Sequence, residues 1–190
     1  MDLVAFQRLH LGYDGRVLKD DGILGPKTRW ALALEELPAW RQRLVMAALR
    51  WEGLTELGGT NRGPEIDLWL SACGVPPGNP WCAAFVSAML RSIGIECAEA
   101  RAWELWKKFP EALQPLPGDI FAMTHPDGSH HCGIIIGWGD TSSDVATCEG
   151  NCQNAVRVGV RARDTLFFSS PSGYGCPVTE SLPRLCGATV

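Results

Sequence analysis

Residues 79–86 read NPWCAAFV: Asn79-Pro80 is a turn pair, and it runs straight into Trp81, Cys82 and an apolar helical pattern. A cysteine on the first turn of a helix is a small buried residue, a disulfide partner, a metal ligand or a nucleophile. The thiolate is the reactive form, and a free thiol ionises near pH 8.5. Unpaired N–H groups and the helix dipole lower that value at a helix start. The rest of the chain has to decide among the four readings.

The 190 residues suit one domain, or a medium domain with a small appendage. Hydrophobic content of 46% and charged content of 20% exclude a disordered chain. No apolar run is long enough to cross a membrane. The start, MDLVAFQRLHLGYDG, has no basic region, continuous apolar run or small-residue cleavage site, so no signal peptide is expected. Net charge is −4, and the acidic excess lies beyond Arg50. No basic stripe marks a nucleic-acid surface. Eight cysteines form an even set, yet disulfide scaffolds are small secreted chains, so most are expected as buried thiols.

Working outward from Cys82, the segments before it read as helices. Leu3, Val4, Phe6, Leu9 and Leu11 have helical spacing, and Pro26 and Thr28 open a second helix that Pro38 ends. These two form a unit over residues 1–38 that is too small to stand alone and is expected to lean on the next helix, near 40–52. Further helices start at Pro64 and near Cys82, and a shorter one lies within EARAWELWKKF. The pattern then changes. Residues 119–123, 132–138, 145–150 and 155–162 are short and rich in β-branched residues, with Gly, Asp, Ser and Pro between them. Helices first and strands second, without βαβ alternation, predict an α+β domain with an antiparallel sheet over residues 39–190.

A cysteine nucleophile needs a base. Of four histidines, His10 reads as a solvated helix residue, His125 sits in the turn THPDGS, and His130 and His131 enter the strand HHCGIIIGW. Alternation puts His131 and Gly133 on one face, and the glycine leaves room beside the ring, which favours His131 over His130. The imidazole in turn needs an orienting acceptor. The next strand ends ATCEGNC, offering Glu149 and Asn151 on one face unless Gly150 breaks the count. Zinc is the rival chemistry, through Cys148, Cys152 and the run His130-His131-Cys132, but this is not knuckle spacing and no metal is expected.

The blocks NPWCAAFVSAMLRSIG, ARAWELWKKF, PLPGDIFAM, HCGIIIGW and EGNCQNAVRV resemble, in that order, the CHAP family over residues 45–170. These are cysteine amidohydrolases and peptidases of the papain-like NlpC/P60 class that cut peptidoglycan. The resemblance implies a papain-like α+β fold with Cys82 as nucleophile and His131 as base. Glu149 would orient the imidazole and Asn151 would support it. This chain has Cys132 where the family writes Val or Ser after the histidine. The expected reaction is amide hydrolysis through a thioester. The expected partner is bacterial peptidoglycan, met by a monomer without nucleic acid or membrane insertion. Some relatives use calcium, but no run of oxygen ligands is visible and no cofactor is expected. Trp81 and Trp138 are candidate substrate-binding walls, with Trp103 beside them.

FQRLHLGYDGRVLKDDGILGPKTRWALA is similar to the three-helix peptidoglycan-binding domain found beside wall hydrolases, matching two of its three helices. Together the resemblances imply a phage endolysin, made in the cytoplasm and released by a holin, with a catalytically inactive peptidoglycan-binding module, a bacterial autolysin or an antibacterial effector of the same fold as alternatives.

Overall fold

The computed structural model describes residues 1–139, 141 and 143–173. Cys176 and Cys186 lie outside the described residues.

Among the described residues six α-helices precede five strands: α1 (Leu3–Leu9), α2 (Pro26–Glu35), α3 (Ala39–Leu49), α4 (Pro64–Ser71), α5 (Cys82–Ser92) and α6 (Ala102–Lys107), then β1 (Ile120–Thr124), β2 (His130–Trp138), β3 (Asp144–Cys152), β4 (Ala155–Ala162) and β5 (Phe167–Ser169). The sheet is wholly antiparallel in the order β4-β3-β2-β1-β5. The fold is therefore α+β, as the order of sequence patterns predicts. β5 was not expected: three residues, FFS, carry no readable alternation.

α5 is the core of the molecule. Its residues from Cys82 to Ser87, with Met89 and Leu90, are buried, as befits a helix covered on all sides. It packs among α3, α4 and α6 and against the inner sheet face, where Ile120, Cys132, Ile134, Ile136, Cys148 and Val156 meet it. The outer face carries a second cluster of Phe121, Ile135, Val145, Leu166 and Phe168. β2 is thus covered on both sides, which explains its near-continuous apolar run.

The N-terminal unit has a small core of its own, Phe6, Leu18 and Ala31. It also reaches the sheet. The β2–β3 register shifts between Ile135 and Gly137, and the Trp30 indole donates to the Ile136 carbonyl at that bulge (2.8 Å). His10 is not a solvated helix residue. It stacks on Phe6, and its Nε2 lies 2.6 Å from Glu35 of α2.

One position sets how closely α5 approaches the sheet. A Cβ on Gly150 of β3 would lie 2.6 Å from Phe85 Cβ and 2.8 Å from Trp81 Cζ3. Only a residue without a side chain allows the first turn of α5 onto the strand end. Gly150→Ala is expected to cost about 1–3 kcal/mol, the usual range for overpacking a filled core, and to push the start of α5 outward. Denaturant unfolding and the reactivity of the Cys82 thiol check this together.

Candidate active site

Cys82 is the first helical residue of α5, and Trp81 is its N-cap. No side chain caps this helix, so the first-turn N–H groups, which have no intrahelical acceptors, face the same end as the sulfur. The sulfur meets the start of β2. There it interacts with the His131 ring, the Cys132 thiol and the Cys132 N–H.

His131 Nε2 lies 2.8 Å from Glu149 Oε2, which leaves Nδ1 as the ring nitrogen for Cys82. Glu149 is held from three further directions. Arg161 donates through NH2 to Oε2 (2.6 Å) and through Nε to Oε1 (2.9 Å), and the Thr147 hydroxyl donates to Oε1 (2.5 Å). Room for this arrangement comes from Gly133. A Cβ there would lie 2.7 Å from Phe121 Cε1 and 3.0 Å from Glu149 Cγ. The space beside His131 is thus filled by the two groups that hold its ring. Cys82 and His131 are both buried, at 5% and 7% exposed.

The charges follow from these contacts. The Cys132 thiol beside Cys82 favours the thiolate; burial opposes it, while the His131 ring and the Cys132 N–H favour it further. Cys82 sits well below an ordinary thiol. Burial pushes Cys132 up, and the neighbouring sulfur adds to that, so Cys132 stays a neutral donor. Burial would lower His131, but its hydrogen bonds to Cys82 and Glu149 raise it from 6.5 to about 9. Burial would likewise raise Glu149, but His131, Arg161 and Thr147 hold it at about 2. At neutral pH the site is therefore a thiolate–imidazolium pair backed by a carboxylate and a guanidinium.

The other expected residues fall elsewhere. Asn151 adopts φ 56°, a left-handed conformation that Asn tolerates, so strand alternation ends there. In the amide orientation that satisfies both of its groups, its Nδ2 donates to Glu56 Oε1 (3.1 Å) and its Oδ1 accepts from the Trp81 N–H (3.2 Å). It holds the helix start rather than the imidazole, whose Nε2 belongs to Glu149. Trp81 is fully buried and bonded to Glu56, so it offers no wall to a substrate. Trp138 is 52% exposed but ends β2, seven residues beyond His131. At roughly 3.3 Å per residue the two are more than 20 Å apart, and Trp138 does not line this site. Trp103 stacks with Trp106 and faces His130 at 5.2 Å, so His130 points to an aromatic cluster. His125 lies 6.0 Å from His131, ring to ring.

Among the described residues no cluster of three or more His, Cys, Asp or Glu side chains could hold a metal. Cys148 is buried in the core, apart from the outer face where His131 and Glu149 meet. The six described cysteines are free thiols. No described helix is long and apolar enough to cross a membrane.

Thr147 and Arg161 were missed in the sequence, though two-residue spacing already places Thr147 beside Glu149. Glu56 gives no sequence signal, since it lies in an irregular loop.

The sequence matches no known family and no curated protein. Among solved structures it is similar to RipD from Mycobacterium tuberculosis, described as a non-catalytic NlpC/p60 domain protein with an adaptation to peptidoglycan-binding function. Identity is 12% over 71% of this chain and 99% of that one, with a TM-score of 0.47. It is also similar to the P60 domain of an antigen from M. avium subspecies paratuberculosis, at 11% identity over 69% and 93% of the two chains and a TM-score of 0.46.

The raised His131 adds stability that is complete below its ordinary value of 6.5 and is lost as pH rises through about 9. The depressed Glu149 adds stability that is present above 4.5 and lost as pH falls toward about 2. An NMR titration of His131 should therefore show an imidazolium persisting to about pH 9. Glu149→Gln should bring its midpoint down by about one unit or more, since it removes the neighbouring negative charge. An unchanged midpoint would mean that Glu149 does not hold the proton on the ring.

Proposed function

We propose that this chain is a cysteine hydrolase that cleaves an amide bond in bacterial peptidoglycan, either the N-acetylmuramoyl–L-alanine link or a bond within the peptides. The observation that carries the reading is the Cys82 sulfur against a His131 ring whose far nitrogen is bonded to Glu149 at 2.8 Å. Nucleophile, base and orienting acid stand in the order that thiol catalysis needs. A helix-start cysteine beside a strand-start histidine on an antiparallel sheet is the papain-like arrangement. The substrate class rests on the resemblance of the sequence blocks to CHAP enzymes.

The reaction follows from the protonation states. The Cys82 thiolate attacks the amide carbonyl, and the first-turn N–H groups of α5 stabilise the oxyanion. The His131 imidazolium gives its proton to the leaving amine as the C–N bond breaks, leaving a thioester and a neutral imidazole. Water then attacks the thioester. His131 takes its proton, the C–S bond breaks, and the acid departs with the thiolate restored. Glu149 keeps the ring oriented and stabilises its charged form, and Arg161 and Thr147 keep Glu149 in place. The N-terminal unit, docked through Trp30, serves as a brace and a wall-binding element. In this reading the protein acts as a monomer in the manner of an endolysin, reaching the wall after release from the cytoplasm.

Digestion of purified peptidoglycan under reducing conditions tests the reading, with Cys82→Ala in parallel and soluble fragments read by mass spectrometry. Wild type alone should release fragments, whose new ends name the bond. Activity should fall as pH rises through about 9, where His131 loses the proton it donates. Fragments from both proteins would refute the thiol mechanism. Fragments from neither, on walls of several chemotypes, would leave a binding module of the same fold.

A further inference from the structure

The mechanism makes no use of the Glu56 carboxylate, which is buried beside the nucleophile's helix. Glu56 lies in the loop between α3 and α4 and is 8% exposed. Burying a carboxylate is expensive unless hydrogen bonds compensate. Its partners here are N–H groups rather than a cation. Oε1 accepts from the Trp81 indole (2.9 Å) and from Asn151 Nδ2 (3.1 Å), and Oε2 accepts from the Asn61 N–H (2.8 Å).

These bonds converge on Trp81, the residue that immediately precedes the nucleophile. Its indole is held by Glu56 directly. Its backbone N–H is held by Asn151, which is itself held by Glu56. The loop that carries Glu56 is tied to the start of β4. Gly53 N–H donates to the Val156 carbonyl (3.0 Å), Val156 N–H to Leu54 (2.8 Å), and Glu56 N–H to Asn154 (2.9 Å). The carboxylate is thus carried on backbone tied to the start of β4 and grips the N-cap residue through its indole.

We propose that Glu56 is a positioning residue of this hydrolase, acting through Trp81 and Asn151 to set where the Cys82 sulfur and the first-turn N–H groups of α5 point. The inference rests on the proposed thiol chemistry. Charge-assisted hydrogen bonds are stronger and more directional than neutral ones, and a displacement of about 1 Å at a reacting centre can cost on the order of 100-fold in rate. Asn151 belongs to this anchor, which gives the third residue of EGN a role distinct from that of Glu149.

The test uses the full chain and two readouts: hydrolysis of peptidoglycan, and the pH dependence of Cys82 alkylation by iodoacetamide, read by mass spectrometry on the Cys82 peptide. In wild type, alkylation should extend well below the pH at which an ordinary thiol reacts. Glu56→Ala should shift that limb to higher pH and lower kcat by on the order of tenfold or more, with KM little changed. Asn151→Ala should do the same. Glu56→Gln should restore both readouts in part, because its carbonyl oxygen can still accept from Trp81 and Asn151 while its NH2 cannot accept from the Asn61 N–H. A merely structural carboxylate would lower Tm in these variants and leave the alkylation profile unchanged. A folded Glu56→Ala with the wild-type profile therefore overturns the inference. If Glu56→Ala does not fold, Asn151→Ala with the wild-type profile overturns it instead. A wild-type Cys82 that alkylates like an ordinary thiol overturns the proposed function along with it.

Discussion

The contact between the first turn of α5 and the end of β3, at Gly150, governs the rest of the site. Gly150 has no room for a Cβ because Phe85 and Trp81 press on it. That pressure brings the start of a buried helix to the start of β2, where His131 and Cys132 lie. It also gives the three residues of EGN three separate duties. Glu149 points outward to His131, Gly150 yields to the helix, and Asn151 turns back to hold Trp81.

A thiolate and an imidazolium in a nearly closed site need compensation for lost hydration. The chain provides it by alternating charge: Cys82 thiolate, His131 imidazolium, Glu149 carboxylate, Arg161 guanidinium. Each member has an opposite neighbour, and Arg161 is the member closest to solvent, with its side chain 29% exposed. Neutral donors complete the line, with Cys132 on the sulfur and Thr147 on the carboxylate. The thiol at position 132 therefore lies beside the nucleophile and favours its thiolate form. A valine there would supply bulk but no S–H.

Much of this was legible in the residues. β-Branched runs between turn signals marked four of the five strands, and Pro64 and Pro80-Trp81 marked the starts of α4 and α5. Strand period alone put His131 and Gly133 on one face, and the structure shows that this glycine makes the space which Phe121 and Glu149 fill. What stayed hidden depends on tertiary contact. The role of Asn151 changed because its positive φ breaks the alternation that placed it beside Glu149. Trp81 was a candidate pocket wall that the sequence could not separate from core; its burial follows from its packing on Gly150 and its bond to Glu56. Trp138, another candidate wall, lies at the far end of β2 from His131, and that strand runs roughly 26 Å at about 3.3 Å per residue. Glu56 had no signal at all, since a loop carboxylate is ordinarily solvated.

The most direct test of the account is whether Cys82 is ionised at neutral pH. Thiolate ultraviolet absorbance should be recorded from mildly acidic to alkaline pH for wild type and for Cys82→Ala, and the two spectra subtracted. The account predicts one thiolate in the difference spectrum at neutral pH, persisting well below the range of an ordinary thiol. A difference that appears only in the ordinary thiol range would contradict the ion pair on which the proposed chemistry rests.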